Sequence, residues 1–133
     1  MKKTICLILC LSFIFTLVLG ISTASAGNPV DIITQTYTIT PTTNGNKITA
    51  YAKGAPAKSG YYSSVTVYLS VTYVRGEGLS NAGTKYTKTN QKSANGGWGQ
   101  GTSGVSTSVT SNNSADYVYS ITAKRTLTYY GIR

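Results

Sequence analysis

The chain of 133 residues has no histidine, only three acidic residues, and two cysteines, Cys6 and Cys10. Without histidine, the chain has no means for Ser-His-Asp or Cys-His catalysis and cannot form histidine-ligated zinc or haem sites. Both cysteines lie in an N-terminal apolar segment that we expect to be removed. The folded domain is therefore expected to contain no cysteine and no disulfide.

The three acids are Asp31, Glu77 and Asp116. Two carboxyl groups suffice for glycoside hydrolysis when the surroundings raise the pKa of one of them. Glu77 lies between two glycines of a turn, Asp116 follows a polar Asn-Asn-Ser turn, and Asp31 lies near the beginning of the folded region. None of these surroundings is apolar. We therefore predict a protein that is not an enzyme and has no catalytic residue, cofactor or metal site.

Residues 1–26 have the three parts of a secretory signal peptide. Lys2 and Lys3 form a positive start, residues 5–19 are almost wholly apolar, and Ala24-Ser25-Ala26 supplies the small residues that signal peptidase accepts. The apolar run is shorter than the ~20 residues that a membrane-spanning helix needs. We predict cleavage after Ala26, release of residues 27–133 to the outside of the cell, and no stable membrane span in the released chain.

Removal of the signal peptide leaves a cationic domain of 107 residues. Ten Lys and Arg remain against three acids, a net charge of +7 at pH 7. Such a charge attracts anionic partners. The sequence has no nucleic-acid-binding motif, so an anionic cell-envelope polymer or a glycan is favoured over nucleic acid.

The apolar residues of the domain are unusual. Leu, Ile and Val total only 17 of the 107 residues, whereas all 11 Tyr and Trp98 remain. Tyrosine rings supply the apolar surface that the aliphatic residues do not. Thr, Tyr and Val recur with a period of two, which is typical of half-buried strands. We predict a single all-β domain, an antiparallel β-sandwich or flattened barrel of about six strands.

The alternation places the strands at residues 33–40, 48–53, 61–75, 84–92, 105–110 and 115–130. We expect 61–75 and 115–130 to be central, because their apolar faces are the largest, and 84–92 to be an edge strand. The odd-numbered side chains from Val65 to Tyr73 are expected to point inward. Arg125 interrupts the apolar register of the last strand, which predicts a β-bulge there or a position at the rim of the sheet.

Aromatic side chains are the first candidates for partner binding. Trp98 lies in a Gly-rich loop, residues 94–104, whose glycines predict backbone access and mobility around the ring. The alternative is a lid residue that closes the end of the sandwich. Tyr62 and Tyr68 share the polar face of their strand with Ser and Thr, an arrangement that suits sugar rings. Cross-strand pairing is the alternative for these two tyrosines.

Three lysines, Lys85, Lys88 and Lys92, are the second candidates, because they lie close together on the predicted edge strand. They either contact an anionic partner or protect the edge from pairing with another chain.

Together these features predict a small secreted basic protein that acts by surface contact with an anionic or glycan-rich envelope or another extracellular partner. A secreted, folded, bacteriocin-like antibacterial protein is the alternative, because a cationic released chain is attracted to anionic envelopes. A subunit of an extracellular matrix or fibre is a second alternative, since Thr/Tyr/Val strands assemble readily. The sequence leaves the oligomeric state open.

Overall fold

Seven β-strands make up the computed structural model, which describes residues 30–132. In chain order they are β1 (Val30–Thr38), β2 (Thr42–Asn44), β3 (Lys47–Ala52), β4 (Tyr61–Val74), β5 (Lys85–Asn95), β6 (Val105–Thr110) and β7 (Tyr117–Ile132). No helix able to cross a membrane occurs in this part of the chain. The predicted signal peptide and its cleavage site lie outside the described residues.

Two antiparallel sheets pack against each other, which confirms the predicted β-sandwich. The larger sheet has the order β1-β7-β4-β5 and the smaller sheet has the order β2-β3-β6. The sheets do not close on each other, so the flattened barrel is excluded. The two longest strands, β4 and β7, are central and β5 is at an edge, as predicted.

The core lies between the two sheets. Odd-numbered side chains of β4, from Val65 to Tyr73, are fully buried, which confirms the predicted inward face. They form one cluster with apolar residues of the smaller sheet, including Ile48 and Val109. The Tyr73 hydroxyl donates to the Asn46 carbonyl oxygen at 2.9 Å, so this tyrosine buries its ring without losing its hydrogen-bond partner.

One strand was not predicted. The three residues of β2 follow Pro41, and the last of them, Asn44, is also the first residue of an Asn-Gly-Asn turn. These turn-forming neighbours left no room for a strand in the prediction. Asn44 pairs with Lys47 across that turn, where Gly45 has a positive φ of 56°. The turn joins β2 to β3.

The register shift of the last strand is not at the predicted place. Arg125 pairs with β4 in an unbroken ladder, whereas the register of β4 and β7 shifts between Thr72 and Tyr73. The extra residue on β7 is Tyr119, so Tyr119 and Tyr117 lie outside the apolar register and are exposed. The predicted bulge at Arg125 is wrong, and so is the alternative position at the rim, because β7 lies between β1 and β4. The Arg125 side chain extends inward to the Gly54 carbonyl oxygen.

A buried carboxylate ties the β4–β5 connection to the β6–β7 turn. Asp116 accepts hydrogen bonds from the Tyr86 hydroxyl and from the backbone N–H groups of Gly76 and Asn113. The Tyr86 hydrogen bond is the main cause of a pKa of Asp116 below the ordinary value, and the positive charge of Arg75 adds to this effect. Asp116 is thus occupied by structural contacts.

We expect Leu69→Ala to lower the free energy of unfolding by about 3 kcal/mol, because it leaves a cavity in a fully buried position. Ser70→Ala, on the opposite face of the same strand, should cost less than about 0.5 kcal/mol. Urea unfolding of both variants measures the difference. Equal losses would contradict the assigned faces of β4.

The lowered pKa of Asp116 predicts an acid-dependent stability. The ionised carboxylate stabilises the fold above the unfolded-state pKa of about 3.9, and its contribution is lost as pH falls through the lower folded-state value. Asp116→Asn should lower the thermal midpoint by several degrees at pH 7 and match the parent in strong acid. Glu77→Gln, at an exposed position, is the control and should leave the profile unchanged. A constant difference between Asp116→Asn and the parent at every pH would contradict the role of the charge.

Candidate functional site

The outer face of the larger sheet carries rows of hydroxyl and amide groups. Residues of β5, β4 and β7 face one another in the rows Asn95-Ser64-Thr128, Ser93-Thr66-Thr126, Gln91-Tyr68-Lys124, Thr89-Ser70-Thr122 and Thr87-Thr72-Ser120. The hydroxyls of Thr66 and Ser93 lie 2.8 Å apart, and those of Thr72 and Thr87 lie 2.9 Å apart. These bonds hold neighbouring side chains in a regular polar array.

Three exposed aromatic rings lie together at one end of this face. Tyr62 on β4 is directly opposite Tyr130 on β7. The Trp98 ring packs edge-on against the Tyr62 ring, with 5.0 Å between centroids and an interplanar angle of 67°. The exposed fractions are 46% for Tyr62, 48% for Trp98 and 43% for Tyr130. We call these three residues the aromatic platform.

A shallow groove adjoins the aromatic platform. It has a volume of about 230 Å³ and is lined by both tyrosines together with Ser64, Asn95 and Thr128. Hydroxyl and amide groups therefore stand beside the flat rings. The groove is too small to enclose a large ligand, but it is continuous with the polar rows of the outer face.

Backbone contacts fix the loop that carries Trp98. The N–H of Gly96 donates to the Ser63 carbonyl oxygen at 2.8 Å, and the N–H of Gly99 donates to the Tyr61 carbonyl oxygen at 2.8 Å. A Cβ atom on Gly96 would lie only 2.6 Å from the Gly101 carbonyl oxygen. The glycines thus permit close backbone approach at these contacts. Trp98 is not among the residues packed on the core.

The other predicted aromatic residue, Tyr68, also lies on the outer face. It is opposite Gln91 on one side and Lys124 on the other. Its position, six residues from Tyr62 on the same strand, corresponds to about 20 Å along the sheet. Tyr62 and Tyr68 therefore share one face, as predicted, but are separate contact points.

The three predicted lysines do not form one patch. Lys85 lies at the far end of the outer face, with its Nζ atom 3.5 Å from the centroid of the Tyr119 ring. Lys88 and Lys92 lie on the other face of β5, because side chains alternate along a strand. The Nζ atom of Lys88 donates to the Thr110 carbonyl oxygen of β6 at 2.7 Å. This contact fits edge protection, in this case of β6.

Sequence reasoning did not place Tyr130 in the site. Its position next to Tyr62 depends on the pairing of two strands more than 40 residues apart, which no local pattern reveals.

The spacing of the lysines, by contrast, indicates from the sequence alone that they do not share one face. Lys85 and Lys88 are an odd number of residues apart, so on one strand they must lie on opposite faces.

The acidic residues are dispersed. Asp31 accepts a hydrogen bond from the Tyr61 hydroxyl at 2.6 Å, Asp116 is buried, and Glu77 lies in the β4–β5 connection. Within residues 30–132 no group of three or more His, Cys, Asp or Glu is arranged to hold a metal ion. The exposed groups of the site are the rings of the aromatic platform and the hydroxyl and amide groups beside them.

Comparison of the chain with protein-family models, curated proteins and solved structures returned no match. Function is therefore inferred from the geometry of the described residues.

Because Trp98 rests on Tyr62 and not on the core, we expect Trp98→Ala to cost about 1 kcal/mol of stability, the size of one aromatic pair. Thermal or urea unfolding measures this loss. A loss of ~3 kcal/mol or more would instead mean that the ring closes the core as a lid.

Proposed function

We propose that this is a secreted, non-enzymatic protein that binds a glycan of a cell envelope or extracellular matrix on the outer face of its larger sheet. The observation that carries the proposal is the aromatic platform, three rings that stay more than two-fifths exposed beside the hydroxyl groups of Ser64 and Thr128. An exposed aromatic cluster of this kind on a protein surface marks an interaction site.

The chemistry of the aromatic platform suits sugar rings. A pyranose ring has faces of C–H groups that pack on aromatic rings, while its hydroxyls need hydrogen-bond partners. Trp98 and Tyr62 offer rigid rings, which lose little conformational entropy when a ligand binds. Ser64, Asn95 and Thr128 offer the polar partners at the edge of the same groove.

The shape of the face favours a polymer over a single sugar. The groove beside the aromatic platform is shallow, and the polar rows continue along β4 as far as Tyr68 and beyond. That distance, about 20 Å, accommodates several consecutive sugar units. The excess of basic over acidic residues, ten against three in residues 27–133, would speed the approach to an anionic envelope.

The antibacterial alternative would use the same contact with an envelope polymer, and a growth-inhibition assay on related strains distinguishes it.

The fibre alternative is favoured by a different observation. Edge strand β1 contains no Lys, Arg or Pro and exposes Val30 and Ile32, so it has few of the usual protections against pairing with another chain. Light scattering that rises with protein concentration would show the self-assembly that the fibre alternative requires.

We expect the protein to bind insoluble peptidoglycan or chitin, and we expect Tyr62→Ala and Trp98→Ala each to weaken that binding about tenfold, equal to ~1.4 kcal/mol. Sedimentation of the protein with the polymer measures the affinity. The matched control is Tyr117→Ala, which removes an exposed tyrosine of β7 at the far end of the face.

If the three variants bind alike, the aromatic platform is not the binding site. If the protein binds neither polymer and no other envelope glycan, the proposal that it recognises glycans is wrong.

A further inference from the structure

A second cleft lies on the inward side of the larger sheet, away from the aromatic platform. It has a volume of about 580 Å³, and its walls come from β1, β7 and the β3–β4 connection. The cleft exists because the smaller sheet has three strands and the larger has four. The inward side of β1 therefore remains partly uncovered, and Tyr37 is 45% exposed there.

The charged residues that line this cleft are all positive. Arg125 and Lys53 both line it, and none of its lining residues is acidic. Arg125 occupies an inward position of β7 between Ala123 and Leu127, which are buried apolar residues. A charged side chain in such a register is costly unless it has partners.

Residues 30–132 supply few partners for this guanidinium. Among residues 30–132 its Nη2 donates to the Gly54 carbonyl oxygen at 2.9 Å, and its Cζ lies 5.9 Å from the centroid of the Tyr37 ring. The buried Nε atom has no hydrogen-bond partner within the described part of the chain. A guanidinium has five N–H donors, so most of its donor capacity is unused in the described part of the chain.

The cleft wall is held in place by paired hydrogen bonds. The N–H of Thr102 donates to the Ala55 carbonyl oxygen at 2.9 Å, and the N–H of Ala55 donates to the Thr102 hydroxyl at 2.8 Å. The Tyr129 hydroxyl donates to the Pro56 carbonyl oxygen at 3.1 Å. These bonds fix the β3–β4 connection opposite Arg125, so the cleft is largely formed before a ligand arrives.

We infer that this cleft binds a carboxylate-bearing sugar residue, such as a uronic acid. The planar guanidinium of Arg125 matches the two oxygens of a carboxylate, and Lys53 adds a second positive charge. The Tyr37 ring and Leu127 provide apolar surface for the carbon skeleton of the sugar, and the Gln35 amide and Thr102 provide polar partners for its hydroxyls. This site is independent of the proposed function of the outer face.

The test is a titration of the ¹⁵N-labelled protein with galacturonate oligomers at low salt, followed by NMR. We expect shifts of the amide signals of Gln35, Gly54 and Thr102, and no change in the fluorescence of Trp98, which lies on the outer face. Arg125→Gln should weaken binding at least tenfold and Arg125→Lys by a smaller factor. Lys47→Gln, which removes one exposed positive charge on β3, is the matched control and should leave binding unchanged.

Lys53→Gln provides a second variant in case Arg125→Gln does not fold, and it should weaken binding several-fold. Equal shifts with neutral galactose oligomers, or equal affinity for inorganic phosphate, would overturn the inference of carboxylate recognition. If Lys47→Gln and Lys53→Gln weaken galacturonate binding equally, binding depends on the net charge of the protein and the cleft is not the site. Tyr62→Ala removes a ring of the aromatic platform, whereas Arg125→Gln removes the guanidinium of the cleft. Loss of peptidoglycan or chitin binding and loss of galacturonate binding are therefore distinguishable outcomes.

Discussion

The pairing of β4 with β7 is the constraint on which the rest of the structure depends. Side chains alternate along each strand, so one register decides both faces of the sheet at once. It sends Val65 and Leu69 into the core, sets Tyr62 beside Tyr130 on the outer face, and directs Arg125 inward. A slip by one residue would expose the core face and bury the polar rows.

Tyrosine makes this arrangement possible in a chain with few aliphatic residues. Tyr73 and Tyr129 bury their rings, and each hydroxyl donates to a backbone carbonyl oxygen, of Asn46 and Pro56 respectively. Tyr62 and Tyr130 use the same side chain for an exposed surface. The core and the Arg125 cleft are thus linked, because the Tyr129 contact also holds the wall of the cleft.

Local alternation was enough to predict much of the fold. Residues 61–75 and 105–110 were located almost to the residue, because β-branched side chains alternate with polar ones there. The bulge at Tyr119 and the pairing of Tyr62 with Tyr130 could not be predicted, since they arise between distant strands. The structure of the Trp98 loop likewise depends on residues distant in the sequence. Its glycines are required by contacts with Ser63 and with the β3–β4 connection, which the sequence does not reveal.

We propose that the β4–β7 register sets Tyr62 beside Tyr130, and that these rings together with Trp98 hold sugar rings. Intermolecular nuclear Overhauser effects between soluble peptidoglycan fragments and the protein test it most directly. We expect contacts from sugar ring protons to the ring protons of Trp98, Tyr62 and Tyr130, with the C–H face of the sugar toward the rings. Sugar contacts at other surfaces, with none to these three rings, would contradict binding at the aromatic platform.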